Sequence, residues 1–128
     1  MIVCLDFDGC IVEDRFPDIG PLMPGVEGCL HALHADGAEF IVSSCRNRVN
    51  FIPPGAQTDF DDPRLWAPAR CPFTEMQAFL FSVFPFVKVD DGTTGKVFAH
   101  VYLDDRGLFW EPDWHEIYRR LKRKLVLK

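Results

Sequence analysis

The stretch Ile2-Val3-Cys4-Leu5-Asp6-Phe7-Asp8-Gly9-Cys10 decides the fold. An apolar run ending in two acids reads as a strand over residues 2–7, buried on both faces as the central strands of parallel sheets are. Asp6 and Asp8 then sit at its C-terminal end, where open α/β sheets place their ligand sites. Two carboxylates this close resist ionising together without a counter-charge. A divalent cation would supply that charge. A second acidic pair, Asp104-Asp105, follows another apolar run, Val101-Tyr102-Leu103. Two strands delivering acids at their C-terminal ends predict one metal site built from distant parts of the chain.

Working outward, strand and helix patterns alternate. Pro24 and Gly37 bracket a helix with Val26, Cys29, Leu30 and Leu33 on one face. Phe40-Ile41-Val42 is a second strand ending in Ser43-Ser44. Thr74 and Gln77 form a capping box for a helix to about Phe84, with Met76, Leu80 and Val83 inward. Phe86 to Val89 is a third strand and Val101 to Leu103 a fourth. A last helix opens at Asp113, with Trp114, Ile117, Tyr118, Leu121 and Leu125 on its apolar face. This alternation predicts the α/β class: a three-layer, Rossmann-like parallel sheet with helices on both faces. The Pro/Gly-rich stretch Phe16 to Gly25 is expected to form a loop or flap over the strand ends. Residues 47–72 carry five prolines, at 53, 54, 63, 68 and 72, and read as an irregular insertion, a feature that in compact domains is usually functional or mobile.

The 128 residues suit one domain, 1–128. With 48% hydrophobic and 26% charged residues, the composition is that of a globular chain, and the net charge of −5 argues against general nucleic-acid binding. The five cysteines form no CxxC pair, zinc ligand set or disulfide framework. No apolar run is long enough to span a membrane and no signal-peptide core follows a basic N-terminus, so a cytoplasmic location is expected.

The acids, serines and one lysine together supply what phosphoryl transfer through an aspartyl-phosphate requires. Asp6 can attack phosphorus, and Asp8, two residues on, can serve as general acid and base. Ser43 or Ser44 can donate to a phosphoryl oxygen. Lys96, with Lys88 as its rival, can offset the oxygen charge. Asp104 and Asp105 complete a site for Mg²⁺, a hard cation that takes oxygen ligands.

On these residues the chain resembles the haloacid dehalogenase (HAD) superfamily of phosphohydrolases. Leu5-Asp6-Phe7-Asp8-Gly9-Cys10-Ile11 matches the first motif, except that Cys10 stands where Thr or Val is usual. Phe40-Ile41-Val42-Ser43-Ser44 matches the second, Lys96 the third, and Val101-Tyr102-Leu103-Asp104-Asp105 the fourth. The segment 12–20 and the ending Asp-Asp-Arg-Gly…Pro-Asp-Trp-His-Glu-Ile-Tyr are similar to a short subgroup with a minimal cap or none. The resemblance implies that Asp6 is the nucleophile, Asp8 the acid/base, and Ser44 the phosphate-binding hydroxyl, with Ser43 as the alternative. It implies Mg²⁺ held by the Asp6 carboxylate, the Asp8 backbone carbonyl and Asp105, with Asp104 a water-mediated partner. Gly9, Ser43, Cys45 and Arg46 are the candidate substrate contacts, with Arg48 and Arg106 as further arginines for phosphate.

The leading expectation is a Mg²⁺-dependent phosphatase for a small phosphorylated substrate. A nucleotide or polynucleotide end phosphatase is an alternative, suggested by the uncapped body and the basic end of the last helix. A non-catalytic interaction module is another, suggested by Cys10 and the 47–72 segment. A homo-oligomer could cover an uncapped site. His31, His34, His100 and His115 are scattered and read as helix-face or loop residues, and Phe73, Phe79, Phe81, Phe84 and Phe86 as core.

Overall fold

The computed structural model describes residues 1–51, 71–106 and 111–126. Of the irregular stretch 47–72, residues 52–70 lie outside these. In chain order the elements are β1 (Ile2–Leu5), β2 (Val12–Arg15), β3 (Asp18–Leu22), α1 (Val26–Ala35), β4 (Glu39–Val42), α2 (Arg48–Phe51), α3 (Pro72–Val83), β5 (Lys88–Val89), β6 (Val101–Leu103) and α4 (Trp114–Val126). No helix among the described residues is long and apolar enough to cross a membrane.

Four strands form a parallel sheet in the order β5-β4-β1-β6, as the alternating pattern predicts. The order decides where a site can form. The chain steps from β1 outward to β4 and β5, then returns to place β6 on the other side of β1. A crevice opens at such a reversal, beyond the carboxyl ends of the strands. Asp6 follows β1 at that point, with Ser43 and Asp104 following its two neighbours.

The strand register sorts the core. Val3 pairs with Phe40 and Val101, and Leu5 with Val42 and Leu103. Val3, Leu5, Phe40 and Val42 are buried in one cluster with Val26, Leu30 and Leu33 of α1, Met76 and Leu80 of α3, and Trp114, Ile117 and Leu121 of α4. Each large apolar side chain buried there contributes roughly 1.5–3 kcal/mol. The row Ile41–Cys4–Tyr102 points the other way, and Tyr102 is 47% exposed. The expected helices on both faces are therefore not found among the described residues: α1, α3 and α4 all cover the Val3/Leu5 face. The reason lies in the crossing from β5 to β6. Residues 90–100 contain Gly92, Thr93, Thr94 and Gly95, and make turns and bends where a covering helix would lie.

Several local expectations need correction. The stretch from Phe16 to Gly25 is not simply a loop, because β2 and β3 form an antiparallel hairpin pairing Val12 with Leu22 and Arg15 with Asp18. Helix α3 starts earlier than the Thr74/Gln77 box implies. Cys71 occupies its cap position with Pro72 at the first turn, and the Thr74 hydroxyl donates to the Cys71 carbonyl at 3.1 Å. Helix α1 starts after Gly25, whose φ is 81°, so Pro24 precedes the helix. Phe81 is 76% exposed on α3 and belongs to no core. The third strand is reduced to Lys88–Val89. The start of α4 is as expected: Asp113 accepts from the backbone N–H groups of His115 and Glu116 at 3.0 and 3.3 Å.

Candidate active site

The end of β1 is built by one crowded turn. The Phe7 carbonyl accepts from the N–H groups of Cys10, Ile11 and Val12 at 3.2, 3.0 and 3.3 Å. The Phe7 ring is fully buried, so its neighbours Asp6 and Asp8 face the crevice. Gly9 sits at φ +81°, and a Cβ there would lie 2.2 Å from Asp105 Oδ2. The first acidic motif thus requires glycine both for its turn and to admit the last motif's acid. From the core side, Trp114 Nε1 donates to the Cys10 carbonyl at 2.9 Å. Cys10 itself is buried, its Sγ 3.9 Å from the Leu103 carbonyl; a thiol is a weak donor.

Carboxylate oxygens of Asp6, Asp104 and Asp105 come within 4.8 Å of one another. The sheet makes this cluster. Asp6 N–H donates to the Leu103 carbonyl at 2.9 Å, extending the β1–β6 ladder to the residue before Asp104. Burial pushes the Asp6 carboxyl up to about 7; the Phe7 N–H, 2.8 Å from Asp6 Oδ1, opposes this, while Asp105 and Asp104 add to it. Such a cluster of hard oxygen donors around a carboxyl that resists ionising fits a divalent cation, which removes the repulsion. Nothing in the donor set specifies which one.

The Asp8 carboxylate stands outside this trio. Arg46 Nε donates to its Oδ2 at 2.7 Å and Arg46 Nη2 to its Oδ1 at 2.8 Å. The same guanidinium donates to the carbonyls of Pro17 and Asp18 in the hairpin at 3.1 and 2.7 Å. Its carbon lies 5.4 Å from the Phe7 ring centre and 5.0 Å from that of Phe16. Arg46 is 0% exposed. The sequence suggested a contact to substrate phosphate; the structure turns its donors to Asp8 and the hairpin instead.

Ser43 and Ser44 both line the cleft. Ser43 N–H continues the β1–β4 ladder to the Leu5 carbonyl at 2.9 Å. Ser44 is buried, and its Oγ accepts from the Arg46 N–H at 3.1 Å, leaving its hydroxyl hydrogen to donate elsewhere. Cys45 is exposed in the same wall. Lys96 shares a smaller adjoining cavity with Asp6, Ser43 and Asp104, its Nζ 4.9 Å from the centre of the Tyr102 ring. Lys88 lines neither cavity.

The main cleft has a volume of about 610 Å³. The sequence did not single out Asp14, Phe16, Asn47 and Asn50, which line it with the expected acids and serines. Asn47 follows the Ser-Ser-Cys-Arg run directly and Asn50 lies three residues further on. Asn50 Nδ2 donates to the Cys45 carbonyl at 2.8 Å, fixing the loop that carries both serines. Arg106 also borders the cleft, and its N–H donates to Asp104 Oδ1 at 2.9 Å.

Neither a family model nor a curated protein matches the chain. A solved structure does: a conserved protein from Bacteroides thetaiotaomicron, with a TM-score of 0.61 and 25% identity over 97% of this chain and 91% of that one. The similarity spans nearly the whole of both molecules and supports the α/β arrangement.

Proposed function

We propose that the protein is a Mg²⁺-dependent phosphohydrolase of the HAD type, with little or no cap, acting on a small phosphomonoester through an aspartyl-phosphate at Asp6. One observation carries this reading: Asp6, Asp104 and Asp105 meet at the reversal of the sheet, with Ser43, Ser44 and Lys96 beside them. The cation would be held by the carboxylates of Asp6 and Asp105, with Asp104 and the Asp8 carbonyl as further oxygens. When bound, it offsets carboxylate repulsion and the charge of the phosphoryl oxygens.

The chain's own groups then divide the work. An Asp6 oxygen forms a bond to phosphorus as the bond to the leaving oxygen breaks, and Asp8, which enters the cycle protonated, gives that oxygen its proton and becomes the carboxylate. Water then attacks phosphorus and loses a proton to Asp8. The bond to Asp6 breaks, freeing phosphate and restoring the carboxylate. A carboxylate has about four lone-pair directions, so Asp8 can accept from Arg46 and still present lone pairs to the cleft. Ser44 or Ser43 donates to a phosphoryl oxygen, and Lys96 offsets its charge.

The test is hydrolysis of an aryl phosphate with Mg²⁺ and with a chelator. Turnover is expected with Mg²⁺ only, and is lost in Asp6→Asn. Equal rates for wild type and Asp6→Asn would remove the assignment.

A further inference from the structure

We infer that Arg46 is a positioning residue for the acid/base carboxylate, and that it ties Asp8 to the β2–β3 hairpin as one unit. The inference rests on the proposed function and assigns Arg46 a role that its place after Ser43-Ser44-Cys45 does not reveal.

Three observations carry it. First, Arg46 binds Asp8 in fork-to-fork geometry, one donor to each oxygen at 2.7 and 2.8 Å. Two parallel bonds fix the plane of the carboxylate as well as its position, which a single bond does not. Second, the guanidinium is fully buried and absent from the cleft wall, while Asp8 lines it. A group with no exposed surface does not meet substrate in this arrangement; it acts through its neighbour. Third, the remaining donors go to the carbonyls of Pro17 and Asp18, and Phe16, at the cleft, lies against its face. The aim of Asp8 is therefore set by the hairpin, and the hairpin by the segment after β4. The charge balances locally, one buried cation against one carboxylate, and the bonds satisfy the guanidinium by geometry rather than by solvent.

Placement matters because proton transfer depends steeply on it. A misplacement of about 1 Å can cost on the order of 10²-fold in rate. The wild-type and variant enzymes are compared with Mg²⁺ and an aryl phosphate, and Asp6 is probed separately by trapping beryllofluoride. Arg46→Met is expected to lower kcat about 10²-fold, while KM and the affinity for beryllofluoride stay close to wild type. Arg46→Lys keeps the charge but lacks the fork, so its kcat is expected between the two. Asp8→Asn is expected to lose about 10²–10⁴-fold. Adding Arg46→Met to it should cost little more, because both changes remove the same function.

A wild-type kcat in Arg46→Met would overturn the inference. So would a loss confined to KM, which makes Arg46 a substrate contact, or losses that multiply in the double variant. If Arg46→Met does not fold, Arg46→Lys carries the same comparison alone and in combination with Asp8→Asn. Absence of turnover and of beryllofluoride trapping in the wild type would remove the proposed function itself, an outcome distinct from failure at Arg46.

Discussion

Replacing Asp6 with asparagine should stabilise the protein above pH 7 when no divalent cation is present. The Asp6 carboxyl is pushed from 3.8 up to about 7, chiefly by burial. A raised acid binds its proton more tightly in the folded state than in the unfolded one. Its contribution is therefore favourable at low pH, falls as pH rises from about 4 to about 7, and stays lost above that. At 1.36 kcal/mol per tenfold change in proton affinity, the full difference is roughly 4 kcal/mol. The carboxyl is partly open to water, and screening reduces this to roughly 1–2 kcal/mol. Asparagine removes the charge and retains an oxygen for the Phe7 N–H. In chelator, urea unfolding followed by circular dichroism should give Asp6→Asn an advantage of roughly 1–2 kcal/mol at pH 8, vanishing near pH 4. With Mg²⁺ the order should invert, since a ligand at a hundred times its Kd adds about 2.7 kcal/mol to a protein that binds it. An advantage that is absent at pH 8 in chelator, or constant from pH 4 to pH 8, refutes the reasoning.

Two further changes probe the scaffold. Gly9→Ala places a methyl group against Asp105 Oδ2 and should weaken Mg²⁺ binding by more than about tenfold in calorimetric titration, because coordinating oxygens tolerate little displacement. Trp114→Phe removes the buried donor to the Cys10 carbonyl and should lower unfolding free energy by roughly 1–3 kcal/mol, read from the urea midpoint.

The strands and their acids were legible because β1, β4 and β6 carry continuous apolar runs ending in distinctive polar residues. The hairpin was not. Glu13, Asp14 and Arg15 of β2 are exposed, so no hydrophobic alternation marks a strand there. Gly20 instead allows a close approach at the irregularity between Val12 and Asp14, where a Cβ would sit 2.3 Å from the Glu13 carbonyl oxygen. The Arg46–Asp8 pair was hidden for another reason. It joins residues 38 apart, and nothing local separates an arginine aimed into the protein from one aimed at substrate. The start of α3 is masked in the sequence because Thr74 suits a cap, yet its hydroxyl serves the last carbonyl before the helix. That no second helical layer is found among the described residues follows from the glycines and threonines of residues 90–100, whose composition was visible but whose crossing of the sheet was not.

The acidic trio joins the first strand to the last through the register Val3–Val101 to Leu5–Leu103. Pairing between opposite ends of a chain is slow, because it closes a long loop before any contact rewards it. A cation site built from Asp6, Asp104 and Asp105 would therefore be complete only once β6 has docked beside β1. A cation bound only to the docked strand would stabilise the native state without lowering the barrier to reach it. Bound metal would then act as a latch on the completed sheet, lengthening the life of the folded protein while leaving its rate of folding unchanged.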